Sequence, residues 1–374
     1  MNITKMQKGS AHTGSLPEGC RRCAEGGKMV LLVTGKCEGA CWYCPLSEKK
    51  KGKAVVYADE KKVSGDKEVI EEARSIDATG TGITGGDPLC EEDYTLDKEG
   101  DPDFVISQVE RTVMYIQMLK SEFGKDHHIH LYTRTTDIDA VRRAYDAGLD
   151  EIRFHPDAKK WHRIEETEYP LLLKEIKEEV DISLGIEIPS IPEKEEETIH
   201  LLKESGEFVD FVNINELEFS STNTEQLKKR GYEHKSDVSS AVKGSEEMAL
   251  RLLKKDFSTP LHYCSLAFKD GVQLTNRIKR RAKNVSKKED LITEEGTIIR
   301  GMIESEEGKK VAQELRGIFG ISEELLWYDE EKDRIECSLT LLREIHESLE
   351  EKCFGVEIYP TADGLEVERW PLDR

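Results

Sequence analysis

Three cysteines in the segment VTGKCEGACWYCPLS, Cys37, Cys41 and Cys44, stand at C-x3-C-x2-C spacing directly after an apolar run. Thiolates in one short loop are metal ligands before they are anything else. A [4Fe-4S] cube ordinarily takes four protein thiolates, so three would leave one iron open to a small molecule. A zinc loop whose fourth ligand lies elsewhere, or three buried thiols, are the alternatives from spacing alone. Some forty residues on comes TGGDPL, with Gly85, Gly86, Asp87 and Pro88. Paired glycines let backbone approach a ligand closely, although the same four residues make an ordinary turn in most settings.

The other cysteines divide by context. Cys20 and Cys23 form a CRRC pair, which is half a metal site. His262 and Cys264 of HYCS, or Cys90 just after the GGDPL turn, would complete it for zinc or an auxiliary iron-sulfur cluster. A redox dithiol and plain structural thiols remain open for the pair. Cys337 and Cys353 flank a helical stretch near the C-terminus and read as small buried hydrophobes. Nine cysteines with no export signal at MNITKMQKGSAHTGS favour ligation or catalysis over a disulfide framework.

These residues need elements to hold them. The runs MVLLVTG, ATGTGITG, HIHLYT, DEIRFH, ISLGIEI, VDFVNIN and PLHYCS read as strands, with amphipathic helical stretches between them such as 103–123 and 140–148. That alternation predicts an α/β fold with a parallel sheet and right-handed crossovers, arranged as a partial TIM-like (β/α)6 barrel with its site at the strand C-termini. Residues 1–27 read as an N-terminal segment carrying the CRRC pair, 28–285 as the barrel, and 290–374 as a small ferredoxin-like α+β domain of order strand, helix, strand, strand, helix, strand. Residues 91–103 read as an acidic insertion loop. Period-two spacing puts Arg153 with His155, Asn213 with Asn215, and His262 with Cys264 each on one face of a strand, with Glu216 beside them. Cys264, His155 and Asn215 are the catalytic candidates of that set, against a reading of all of them as hydrogen-bonded core polar groups.

The cysteine loop and the GGDP turn, at strand-helix-strand separation, resemble the radical S-adenosylmethionine (SAM) superfamily. With LPEGCRRC, HYCSLAFKD and EIYPTADGLEVERWPL, the chain resembles an archaeal group related to pyruvate formate-lyase activating enzymes. The resemblance implies that Cys37, Cys41 and Cys44 hold a [4Fe-4S] cluster whose open iron takes SAM. It implies that Gly85, Gly86, Asp87 and Pro88 bind the SAM amino group, with Asp in place of the commoner Glu. Tyr43 would pack near adenine, Gly185 and Ile188 would support it, and Thr133 and Thr135 would meet the ribose. The implied chemistry is an oxidoreductase or transferase reaction in which reductive SAM cleavage gives a 5'-deoxyadenosyl radical that takes hydrogen from a protein, peptide or small-molecule substrate. An external electron donor of ferredoxin or flavodoxin type is implied as partner.

A net charge of -21 opposes bulk binding to nucleic acid or anionic membrane. The exception is RIKRRAKNVSKK, residues 277–288, with seven cations and no acid, which makes an RNA-modifying enzyme the second hypothesis. A non-catalytic iron-sulfur or zinc scaffold is the third. No apolar run of membrane-spanning length occurs, so a cytoplasmic protein is expected.

Overall fold

In the computed structural model the described residues are 1–91, 93–98, 101–330 and 332–372. Residues 92, 99 and 100 of the acidic stretch, and 373 and 374 of the C-terminal segment, lie outside them. The chain forms two compact units, Met1–Arg74 with Ala78–Leu274, and Ser75–Asp77 with Thr275–Arg374.

The first unit is mixed α/β around a large, mostly parallel sheet. Its strands are β1 (Lys28–Thr34), β2 (Gly80–Gly85), β3 (His128–Thr133), β4 (Glu151–Phe154), β5 (Ser183–Ser190), β6 (Phe211–Glu216) and β7 (Leu261–Cys264). They lie side by side in chain order, and each neighbouring pair is parallel. A helix precedes each strand after β1, as the crossover between parallel neighbours requires. Antiparallel strands finish both edges of this 11-stranded sheet: Ala11–Thr13 against β7 with Ile3–Lys5 outside it, and Val56–Ala58 against β1 with Lys61–Val63 outside it.

Alternation along the strands sorts the side chains. Ile129, Leu131, Ile152, Phe154, Leu184, Ile186, Val212 and Ile214 are buried completely. Each such side chain contributes about 1.5–3 kcal/mol by leaving water. The intervening positions are His128, His130 and Tyr132, Glu151 and Arg153, Gly185 and Glu187, Asn213 and Asn215, and His262 and Cys264. One face of the sheet is therefore apolar and the other polar.

The stretch 91–103 differs from expectation. Asp93–Lys98 and Asp101–Ser107 pair as antiparallel strands. The following helix runs Gln108–Phe123, not from 103, because Ser107 caps it: its hydroxyl accepts from the Glu110 amide and its own amide donates to the Glu110 carboxylate at 3.0 Å.

The second unit has a sheet in the order β9–β10–β8–β11–β12, where β8 is Ile298–Glu304, β9 Leu326–Asp329, β10 Arg334–Cys337, β11 Lys352–Ile358 and β12 Glu366–Pro371. All of these neighbours are antiparallel. Helices Gly308–Phe319 and Leu339–Ile345 fall after β8 and β10, giving the strand-helix-strand-strand-helix-strand order. Cys337 and Cys353 pack in its core with Ile303, Leu326 and Leu342. The basic run lies largely on helix Thr275–Val285, where Arg280 binds the Ile76 carbonyl at 3.0 Å and Arg281 binds Ser75 Oγ at 2.6 Å. No helix among the described residues is long and apolar enough to cross a membrane.

Gly185 shows how tightly the polar face is set: a Cβ there would lie 2.3 Å from the Phe211 ring. Gly185→Ala is expected to cost about 1–3 kcal/mol by overpacking. Urea unfolding reads that loss, and a second change of Phe211→Leu should recover part of it.

Candidate active site

β1 ends at Thr34 and the chain enters a loop that closes on itself, with the Gly35 amide donating to the Lys53 carbonyl at 2.8 Å and the Gly52 amide to the Gly35 carbonyl at 2.7 Å. Inside this closure lie Cys37, Cys41 and Cys44. The loop meets the turn after β2 backbone to backbone. Gly86 donates to the Thr34 carbonyl at 2.7 Å, and Asp87 to the Lys36 carbonyl at 2.8 Å. A Cβ on Gly86 would sit 1.9 Å from the Lys36 oxygen, and one on Gly35 would sit 1.6 Å from the Lys50 oxygen. Only glycine fits either place. The loop is held from the other side too, by the Thr222 hydroxyl on the Leu46 carbonyl at 2.7 Å and the Asn223 amide on the Tyr43 carbonyl at 3.0 Å.

The three thiols are half-buried. Burial pushes Cys37 and Cys41 up, while the Gly39 amide, 3.2 Å from the Cys37 sulfur, and the Arg134 guanidinium near Cys41 work the other way. Arg134 Nη1 donates to the Cys41 sulfur at 2.6 Å. A cation and an amide aimed at sulfur favour the thiolate, the form that binds metal. Among the described residues no three His, Cys, Asp or Glu side chains converge as the ligands of one ion would. Three soft donors on a fixed loop around a cavity are the donor type that an iron-sulfur group takes.

That cavity has a volume of about 1260 Å³ and is walled by all three cysteines together with Gly85, Gly86, Thr133, Glu187, Ile188 and Asn215. Asp87 lies outside it, lining a smaller hollow of about 430 Å³ with Cys90 and Thr135. Its carboxylate, 5% exposed, accepts from Thr133 Oγ1 at 2.7 Å and from the Leu89 and Arg134 amides at 3.1 Å each. Asp87 thereby fixes the end of β3. Pro88 contributes a carbonyl that accepts from Thr112 Oγ1 at 2.7 Å. Gly185 packs under Phe211, and Ile188, of opposite parity, is 1% exposed.

Tyr43 and His155 form one unit. The His155 Nδ1–H donates to the Glu187 carbonyl at 2.7 Å, leaving Nε2 to accept from the Tyr43 hydroxyl at 3.0 Å. Burial lowers the imidazole's affinity for a proton, which matches that neutral tautomer. His155 therefore orients the tyrosine ring beside the cysteines.

Below the thiols a polar chain crosses the strands. Lys28 donates to His128 Nδ1 at 2.8 Å, and His128 faces Glu151 at 3.6 Å. Arg153 joins Glu151 to Glu187, binding the latter at 2.7 Å. Glu187 accepts from Asn213 at 2.9 Å and Asn215 at 2.7 Å, and Asn213 reaches His262 at 3.2 Å. Cys20 sits in the same chain, accepting from Asn213 at 3.3 Å and Arg153 at 3.5 Å. Cys23 lines the cavity. Cys264 packs with Phe268 and Val272, and burial pushes its thiol up to about 11. Glu216 is tied to Lys235 at 3.1 Å and to the Leu266 amide at 2.8 Å. Of these, Cys23 lines the cavity, Cys20 and His262 meet through Asn213, and Cys264 packs in an apolar cluster, and among the described residues the four form no three-ligand group.

Sequence reasoning passes over Glu187, although its parity with Gly185 and the facing asparagines is the available signal. It also passes over Arg134, directly after the expected Thr133, and Lys28, the one cation at the head of an apolar strand.

Comparison with known proteins adds two findings. The chain is 38% identical over 392 residues to a protein of Methanocaldococcus jannaschii named "Putative glycyl-radical enzyme activating enzyme", an alignment covering 100% of this chain and 97% of that one. Residues 296–372 match a family described as a domain of unknown function, DUF8061.

The buried charges give two expectations. Glu187→Ala should cost about 3–5 kcal/mol, since it strands Arg153 with one carboxylate; denaturant titration measures it. Burial lowers Lys28 to about 7 from 10.5. The unfolded chain then binds the extra proton between those values, so this group makes stability rise with pH from 7 upward, by at most about 1.4 kcal/mol per pH unit. Between pH 7 and 8.5 Lys28→Met should show a flatter stability profile than the natural chain.

Proposed function

The chain belongs to the glycyl-radical enzyme activating enzyme family, and from that premise we propose that it is a radical SAM activase acting on a protein substrate. The observation that carries the reading is the backbone contact that sets the three-cysteine loop against the Gly85–Gly86 turn at one cavity. Cys37, Cys41 and Cys44 would hold a [4Fe-4S] cluster, and the backbone of Gly85 and Gly86 with Thr133 and Ile188 would hold SAM. When bound, these groups supply a one-electron reduction of the sulfonium and a 5'-deoxyadenosyl radical that can take a hydrogen atom.

The chain's own residues shape where that chemistry happens. Arg134 stabilises the Cys41 thiolate, and Asp87 holds Thr133 and Arg134 in place. His155 fixes the Tyr43 ring beside the thiols. The Arg153–Glu187 pair locks Asn215, whose side chain lines the cavity and is the substrate-facing group of that strand. Cys264, kept protonated and accepting from Gln273 at 3.6 Å, stands one shell behind. An RNA substrate has only the basic run to support it, and two of its seven cations, Arg280 and Arg281, are engaged within their own unit.

The test is anaerobic reconstitution with iron and sulfide, then incubation with SAM and dithionite. A cubane signal and 5'-deoxyadenosine are expected, with a glycyl radical signal when a protein fraction containing the substrate is added. Cys41→Ala should lose both the signal and SAM cleavage. Intact SAM in the reconstituted natural protein would sink the proposal.

A further inference from the structure

The closed loop that carries the cysteines also carries charge. Residues 49–53 read KKKGK, four lysines in five residues, in a chain whose net charge is -21. Lys49, Lys51 and Lys53 are exposed, and none of the three has an ion-pair partner among the described residues. Lys50 lies over the Tyr57 ring at 4.5 Å, and across the edge hairpin Tyr57 stands opposite exposed Lys62. Lys49, Lys51 and Lys53 are thus exposed on the loop, with Glu48 beside them in sequence, and Lys62 stands on the edge strand beyond Tyr57.

Their position is fixed as firmly as that of the thiols. The Lys53 and Lys50 carbonyls are the atoms pressed against Gly35, two residues before Cys37. Lys51 and Gly52 line the mouth of the cavity that Cys37, Cys41 and Cys44 also line. A surface lysine run on a mobile tail would be an ordinary solvated stretch. This one is clamped by its backbone to the rim of the redox site.

We propose that this rim, formed by Lys49, Lys53 and Lys62 around the mouth at Lys51, is the docking surface for a small acidic one-electron carrier protein of the ferredoxin kind. The inference rests on the activase reading, which requires one electron from outside for each turnover. The carrier gives up one electron and is oxidised by one; the group held by the three thiolates takes it, and no proton or leaving group moves in that step. Charge complementarity explains why the patch is needed. Two acidic proteins repel at long range, and a local cationic rim reverses the field where the partner must land. The same field should be screened by salt beyond roughly 10 Å at 0.1 M.

The experiment uses the reconstituted full chain and an acidic ferredoxin as probe. Affinity is measured by titration at low and high salt, and SAM cleavage is driven in parallel by reduced ferredoxin and by dithionite. In Lys49→Glu/Lys53→Glu/Lys62→Glu, ferredoxin affinity at low salt is expected to fall roughly ten-fold or more, and ferredoxin-driven cleavage with it, while dithionite-driven cleavage is unchanged. A control with Lys5→Glu/Lys203→Glu/Lys254→Glu, three exposed lysines elsewhere, should bind as the natural chain does. Equal loss in both triple variants, or none in the rim variant, overturns the docking surface. So does competition for the rim by RNA with no measurable binding of ferredoxin. Failure of dithionite to cleave SAM in the natural chain instead overturns the activase reading, and the titration still decides the surface.

Discussion

The whole arrangement depends on a place where two backbones touch. Gly35 and Gly86 have no space for a Cβ, because the oxygens of Lys50 and Lys36 occupy it. Hydrogen bonds from Gly86 and Asp87 to Thr34 and Lys36 close the remaining gap. A cysteine loop of this length would otherwise sample many conformations, each costing conformational entropy to recover on binding a cofactor. Here the entropy is lost once, on folding, and the ties from Thr222 and Asn223 on the far side prevent the loop from pivoting about the glycines. Arg134 can then meet the Cys41 sulfur at a fixed place because Asp87 holds the Arg134 amide.

The second constraint is charge balance beneath that contact. Lys28 of β1, Glu151 and Arg153 of β4 and Glu187 of β5 alternate in sign, and His128 is kept neutral, its proton affinity depressed to about 3 by burial and by Lys28. Neutral imidazoles let the chain continue without adding a cation next to Arg153. A network of this kind contributes little net stability against a well-packed apolar alternative, and its members are costly to remove singly. Its value lies in orientation. Asn215 is held by Glu187, and Glu187 by Arg153, so a side chain at the cavity wall inherits the rigidity of three strands.

The seven parallel strands are legible in the sequence because each has fully buried residues on one face, so apolar runs survive even where the other face is polar. The Ser107–Glu110 capping box was equally available locally, and it places the helix start that the longer run 103–123 blurs. The three cysteines and the GGDP turn announce themselves because spacing within one loop is a local property. What stays hidden is pairing at long range. Arg134 meets Cys41 across 93 positions, and Tyr43 meets His155 across 112. Parity pairs His155 with Arg153, and the structure puts it just past the end of β4, yet nothing local says that its second nitrogen ends on a tyrosine from the cysteine loop. Asp87 is the same case: its neighbours read as a glycine-rich turn, while its carboxylate accepts from Leu89, Thr133 and Arg134.

Environment also explains why nine cysteines in one chain do not compete for the same chemistry. Cys337 and Cys353 lie in an apolar core of the second unit, and Cys264 in an apolar cluster of the first. Cys20 is enclosed by Asn213 and Arg153, and burial pushes its thiol far up despite the nearby guanidinium. A buried neutral thiol must lose its proton before it can bind metal, and desolvation opposes that loss. Cys37, Cys41 and Cys44 keep partial access to solvent, with an amide and a guanidinium directed at two of the sulfurs. Three half-buried thiols with such donors are therefore gathered in one loop, and it is this grouping, more than the count of cysteines, that sets the loop apart.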